Sequence, residues 1–234
     1  MRLIVYGDLH GCFEEFLALR EKIKPQKGDL EICVGDIINK GLYSKKLIKF
    51  IKNNNIKTVL GNHEEKFLKY KNSLKKNTQT LNLNQKQKAL FTELDSEDIL
   101  FLSTLPYYIK VQNITVLHGG LWRGARVDRL DRYGFSKLVH TRYLDKNGKF
   151  ISLDQKDKRD TFWAEQYGGE QGFVVYGHQV FKSAKVLKNS VGLDTGCVYG
   201  NKLSAGVFEY QNNRFDTQNY LLIEQKSKTD YSSL

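Results

Sequence analysis

Short apolar runs, each closed by a glycine, set the rhythm of the first 64 residues. Arg2–Tyr6 is apolar and β-branched and stops at Gly7; residues 30–34 repeat the pattern before Gly35, and residues 56–60 repeat it again before Gly61. Runs this short, bounded by glycine, predict strands buried on both faces. Between them the period changes. Phe13, Phe16, Leu17 and Leu19 recur at helical spacing within residues 12–23, ahead of Pro25, and Leu47, Ile48 and Ile51 share one face of residues 44–51. Strand and helix alternate as in a βαβαβ unit with a largely parallel sheet, the α/β arrangement whose carboxyl-edge loops receive ligands.

From residue 64 to about 105 the pattern is helical and polar, with Ser96 the expected N-cap of its last segment. Strand-like runs return at 107–111, 114–117, 173–176, 191–194, 203–210 and 220–223, so the second half is richer in β structure and its strands are expected in hairpins. Residues 120–172 are rich in arginine, tyrosine and glycine with weak periodicity, and are longer than a plain connection should be, which points to function. A chain of 234 residues can be enclosed by one core. The expected organisation is a single domain over residues 1–234, with a helical insertion around 65–105 and a loop-rich insertion around 121–172.

Composition changes this picture little. Hydrophobic residues make up 40% of the chain, and no apolar stretch approaches the roughly 20 residues of a membrane span. The opening MRLIVYGDLHG lacks the apolar core and cleavage site of a signal peptide, so a cytoplasmic protein with no membrane partner is expected. Cys12, Cys33 and Cys197 share no C-x-x-C spacing and read as reduced, packed thiols. The net charge of +11 favours acidic partners such as phosphorylated ligands, nucleic acid or a membrane surface, although lysine-decorated helices such as KKLIKFIKNNNIK account for much of the excess.

The candidate chemistry lies where the apolar runs end. Asp8 and His10 stand in GDLHG, Asp36 in a second glycine loop, and Asn62, His63 and Glu64 in GNHE; His118 precedes Gly119-Gly120, and His178 follows Gly177. Four of the five histidines fall in these loops, whereas His140, outside any motif, reads as an ordinary hydrogen-bonded residue. Oxygen and imidazole donors without thiolate suit manganese, iron or zinc. A two-metal site needs one bridging carboxylate, so that a shared hydroxide can attack phosphorus in line with the leaving group; Asp36 is the natural bridge.

In the order GDLHG, GDIINKG, GNHE, HGG, VVYGH and LDTGCVYG, residues 7 to 200 resemble the phosphoprotein phosphatase family of calcineurin-like metallophosphoesterases. Among its members the chain is similar to bacterial serine/threonine phosphatases and bis(5′-nucleosyl)-tetraphosphatases, including the stretches Thr141-Arg142-Tyr143 and Trp163-Ala164-Glu165. The resemblance implies an α/β (α+β) fold, a central β-sandwich flanked by helices on both sides, and two divalent metal ions, manganese foremost. It implies that Asp8, His10 and Asp36 hold one ion and Asp36, Asn62, His118 and His178 the other. His63 would then protonate the leaving group, and Lys40 and Arg142 would grip the phosphate. The implied reaction is metal-dependent hydrolysis of a phosphorylated small molecule or nucleotide, with a phosphoprotein or a nucleic-acid end as alternative substrates.

Two residues depart from the family pattern GDxxDRG: Asn39 replaces a carboxylate and Lys40 an arginine. Lysine is a point charge without arginine's planar two-pronged contact, so phosphate binding should lean more on Arg142. An amide orients the His63 ring without stabilising its cation, which weakens it as an acid and favours substrates whose leaving group needs little help. Dinucleoside polyphosphates such as diadenosine tetraphosphate meet that condition better than a phosphoserine. Trp122, Tyr143 and Trp163 could stack on a base or pack in the core, and Arg123, Arg126, Arg129 and Arg132 could line a polyanion groove.

Overall fold

The computed structural model describes residues 1–78 and 81–233; positions 79 and 80 of the expected helical stretch, and Leu234 at the end of the expected domain, lie outside the described residues. The opening repeat folds as its periodicity predicts: Arg2–Tyr6 (β1), Phe13–Ile23 (α1), Leu30–Cys33 (β2), Ser44–Asn53 (α2) and Lys57–Thr58 (β3), with β2 parallel to both β1 and β3. Three helices follow, Asn62–Lys75 (α3), Gln85–Glu93 (α4) and Ser96–Ser103 (α5). Asp95, and not Ser96, caps α5: its carboxylate accepts the N–H groups of Glu97 (3.0 Å) and Asp98 (2.9 Å). A charged acceptor at a helix N-terminus also meets the positive end of the dipole, so it wins over the neighbouring hydroxyl.

The chain continues through Tyr108–Val111 (β4), Ile114–Leu117 (β5) and Arg132–His140 (α6), then three two-residue strands, Tyr143–Leu144 (β6), Phe150–Ile151 (β7) and Thr161–Phe162 (β8). Phe173–Tyr176 (β9), Lys185–Leu187 (β10), Ser190–Gly192 (β11), Lys202–Gln211 (β12), Arg214–Phe215 (β13) and Leu221–Lys226 (β14) complete it. One sheet runs β13-β12-β1-β2-β3, with β14 also on β12; a second runs β10-β11-β9-β5-β4; and β7-β6-β8 form a small third sheet. The first sheet is mixed where the opening pattern suggested largely parallel, because β12 returns antiparallel to β1.

Alternation along β1 shows how the layers form. Leu3 and Val5 face one way, into a core shared with Ile32, Val34, Ile114, Val116, Val175 and Val191, and this closes the two large sheets into a sandwich. Ile4 and Tyr6 face the other way, against Phe16 and Leu19 of α1, Leu47 and Ile51 of α2, and Phe67 of α3. On the far side of the second sheet, Leu117, Val174 and Tyr176 pack against Leu138 of α6 with Leu144, Phe162 and Trp163. The central strands β1, β5 and β9 are therefore buried on both faces, as their unbroken apolar runs required. Among the described residues no helix is long and apolar enough to cross a membrane.

Candidate metal centre

β1, β2, β3, β5 and β9 deliver their carboxyl ends to one edge of the sandwich, and the five glycine loops that follow bring Asp8, His10, Asp36, Asn62, His63, His118 and His178 together. The polar groups form two overlapping clusters, His10–Asp36–His63 and Asp36–His118–His178, in each of which the donor atoms lie within 4.8 Å of one another. Asp36 belongs to both. Its Oδ2 stands 3.4 Å from His118 Nε2, 3.6 Å from His10 Nε2 and 3.9 Å from His63 Nε2. Asn62 Oδ1 lies 3.0 Å from His118 Nε2 and 2.8 Å from His178 Nδ1, and Asp8 accepts the backbone N–H of His178.

Holding these groups so close strains the backbone. His10, Asp36, Asn39, Lys40 and His178 all have positive φ, between 42° and 74°, a region that costs a non-glycine residue roughly 1 kcal/mol or more. Glycine is required where two loops touch: a Cβ on Gly177 would lie 2.0 Å from Asp8 Oδ1, and one on Gly61 2.2 Å from Asp36 Oδ1. Glu64 secures the centre from beneath, its buried carboxylate accepting the N–H groups of Asp36 (2.9 Å), Gly61 (2.9 Å) and Ile38 (3.1 Å). Burial and the neighbouring Asp36 push that carboxyl up to about 8, against the pull of the three N–H donors.

The tautomers follow from the partners. His10 Nδ1 faces the carbonyl of Ile38 (3.1 Å) and His118 Nδ1 that of Val34 (2.9 Å); a carbonyl only accepts, so each Nδ1 carries the proton and each Nε2 presents a lone pair to Asp36. Two imidazole lone pairs thus converge on an acceptor-only carboxylate; Lys40 Nζ meets that of His10, and a divalent cation would satisfy that of His118 together with Asp36. Burial holds His10, His118 and His178 below the usual imidazole range, in the neutral form that metal ligation needs. Burial pushes the Asp36 carboxyl up, and the backbone N–H that His63 donates to its Oδ1 pulls it down. Asp8 is pushed up by burial and by the carboxylates of Asp194 and Asp36. Asp194, buried in the LDTG turn and raised by its burial to about 6, is absent from the sequence-predicted site, as is the supporting role of Glu64.

Around this centre, Lys40 Nζ reaches His10 Nε2 at 3.0 Å, and the Arg142 guanidinium meets His178 at its carbonyl (3.1 Å) and Nδ1 (3.4 Å). Asn39 contacts His63 Nδ1 through its amide nitrogen while its oxygen accepts the Lys40 N–H (2.9 Å). That second bond fixes the amide orientation, so His63 Nδ1 accepts and Nε2 carries the ring proton toward the centre. Burial lowers His63 to about 4, which keeps it neutral at pH 7. His140 bonds Glu65 at 2.9 Å.

The aromatic and arginine candidates separate. Trp163 is 1% exposed and packs edge-on against Tyr176, a core residue. Tyr143 lies under Lys156, and Trp122 lines a cavity of about 730 Å³ with Arg123 and Arg126. Arg126 pairs with Asp128 at 3.2 Å, and Arg132 borders a different cavity beside α3. The four arginines therefore do not form the single groove their spacing suggested.

Comparison with known proteins agrees with this geometry. The chain is 27% identical to a Bacillus subtilis protein named bis(5′-nucleosyl)-tetraphosphatase PrpE [asymmetrical], over 86% of this chain and 88% of that one. It is 28% identical to a protein of the same name from Oceanobacillus iheyensis, over 88% of each. A crystal structure described as a candidate diadenosine tetraphosphatase superposes with a TM-score of 0.77 at 26% identity, covering 96% of this chain and 93% of that one. A serine/threonine phosphatase from Saccharomyces cerevisiae shares the fold, with a TM-score of 0.64 at 16% identity over 97% of this chain and 80% of its own. The model of the calcineurin-like phosphoesterases matches residues 1–216. With that match running over almost its whole length, this chain belongs to the calcineurin-like phosphoesterase family, a hydrolase of phosphoric ester or anhydride bonds.

Proposed function

We propose that the chain cleaves dinucleoside polyphosphates, diadenosine tetraphosphate among them, with two divalent cations of the manganese, iron or zinc type, manganese foremost. Asp8, His10 and Asp36 would hold one cation and Asp36, Asn62, His118 and His178 the other. The observation that carries the reading is the pair of imidazole clusters sharing Asp36. When bound, the cations polarise phosphoryl oxygens and acidify water at neutral pH.

The chain's own residues supply the rest. Lys40 and Arg142 stand on either side of the cluster as point charge and planar fork, and hold the non-bridging phosphate oxygens against it. His63 presents its Nε2–H to the departing oxygen. Because Asn39 already donates to Nδ1, a second ring proton would set two N–H groups against each other, so His63 acts as a hydrogen-bond donor and not as a full acid. A nucleotide phosphate departs under that modest assistance, whereas a serine alkoxide does not. The names of the relatives support the same substrate class and an asymmetrical cut. Three free, buried cysteines suit a reducing cytoplasm.

Chromatography of a manganese-supplemented reaction on diadenosine tetraphosphate, run beside a phosphothreonine peptide, tests the proposal. ATP plus AMP is expected. Phosphate release from the peptide alone would replace it with a protein phosphatase.

A further inference from the structure

Beside Arg142 lies a second cavity, of about 370 Å³, that the ligand cluster does not use. One wall is α6, which presents Tyr133, Lys137 and His140 at positions i, i+4 and i+7 of a single face; the other is Phe150 of β7 with Leu153 of the turn after it. Tyr133 is 69% exposed and Leu153 56% exposed, a large aromatic and an aliphatic side chain held in solvent across an open hollow. No carboxylate stands among the described residues that line it, while Lys137 and Arg142 both do. The Lys137 ammonium sits 4.3 Å from the Tyr133 ring centroid, so apolar surface and positive charge are presented together.

We infer that this cavity is the nucleoside site of the enzyme, seating one base and ribose between Tyr133, Phe150 and Leu153 while Lys137 and Arg142 guide the polyphosphate to the metal centre. The inference rests on the dinucleoside-polyphosphate reading and adds to it the place where the nucleoside is recognised. The volume falls near the lower end of the roughly 300–1,000 Å³ of small-molecule sites, which suits one nucleoside rather than two. Connectivity decides between the cavities. The larger one, around Trp122, carries Asp128 and Glu170, and its described lining contains no residue of the ligand cluster. In the smaller one Arg142 is a wall and also touches His178, and the His140 ring lies 6.3 Å from the His178 ring. A polyphosphate leaving the centre past Arg142 therefore enters a basic hollow with apolar walls.

Steady-state kinetics of Tyr133→Ala and Leu153→Ala, on diadenosine tetraphosphate and on p-nitrophenyl phosphate, test this. Both side chains are exposed, so the variants should fold. A stacked base is worth about tenfold in affinity. The expected result is a KM for diadenosine tetraphosphate raised about tenfold in Tyr133→Ala and less in Leu153→Ala, with a matching fall in the ratio of kcat/KM between the two substrates. Tyr133→Phe should restore that ratio. Equal losses on both substrates, or an unchanged KM in an enzyme that cleaves diadenosine tetraphosphate, overturn the nucleoside site alone; a wild-type enzyme that leaves diadenosine tetraphosphate intact overturns the proposed function as well.

Discussion

Residues 7–64 and residues 121–172 both send charged side chains to the same edge of the sandwich, and they do so by different means. In the first region the strands are buried on both faces, and Asp36 and His10 are fixed by bonds to backbone groups of other loops. In the second, α6 and three two-residue strands lie outside the second sheet, and several charged side chains are satisfied within their own turns. Asp145 accepts from Asn147 and Lys149, Asp157 pairs with Arg159, and Arg126 pairs with Asp128. Long-range fixation suits reacting atoms that must hold position to a fraction of an ångström. Local fixation leaves a segment free to differ in what it admits, which is where substrate choice is expected.

The comparison breaks most directly at Asp36. Asp36→Ala should abolish metal binding, read by metal analysis, and lower kcat/KM by about 10³-fold or more; a variant that keeps its metal and turnover would remove Asp36 from the shared position. Next is Glu64→Ala, which strands three buried N–H groups and should lower stability by about 3 kcal/mol in chemical unfolding. A loss under about 1 kcal/mol would mean that the loops support themselves.

Asn39→Asp sharpens the contrast between rigid and adaptable parts. A carboxylate would accept from His63 Nδ1–H and stabilise the imidazolium, so phosphomonoester hydrolysis should rise about tenfold relative to anhydride hydrolysis. Equal changes on both substrates would show that leaving-group protonation does not set the preference. The smallest effect belongs to the second region. The hydrogen bonds from Arg159 hold the exposed Asp157 carboxyl at about 2, below its ordinary 3.8. Any stability this pair contributes is complete above pH 3.8 and is lost as pH falls through about 2. Arg159→Ala should therefore leave Tm at pH 7 unchanged within error and alter the acid limb only between those values. A clear loss at pH 7 would show that the turn supports the fold.

Legibility follows the same division. The opening strands and their helices could be read because burial on both faces leaves unbroken apolar runs, and the residues of the polar cluster could be read because each follows such a run at a glycine. α6 could not: RYGFSKLVH is short and interrupted by Gly134, and its start is set by Asp131 accepting the Gly134 N–H. Strands of two residues have no period to detect. Glu64 stood in plain view within GNHE, but its role depends on which N–H groups fold over it, and Asp194 acquires its raised carboxyl from surroundings assembled across the whole chain. Trp163 shows the reverse problem, an aromatic suited to a base that tertiary packing assigns to the core.

The convergence of imidazole lone pairs on Asp36, held by a strained backbone, ties the cofactor to the endurance of the fold. A cation that relieves this repulsion binds the native state and not the unfolded chain, so the folded population becomes a function of free metal. At a hundred times Kd that linkage is worth about 2.7 kcal/mol. Chelation should therefore lower Tm as well as silence turnover, and a cell that withholds the metal would both idle the enzyme and expose more of it to proteolysis.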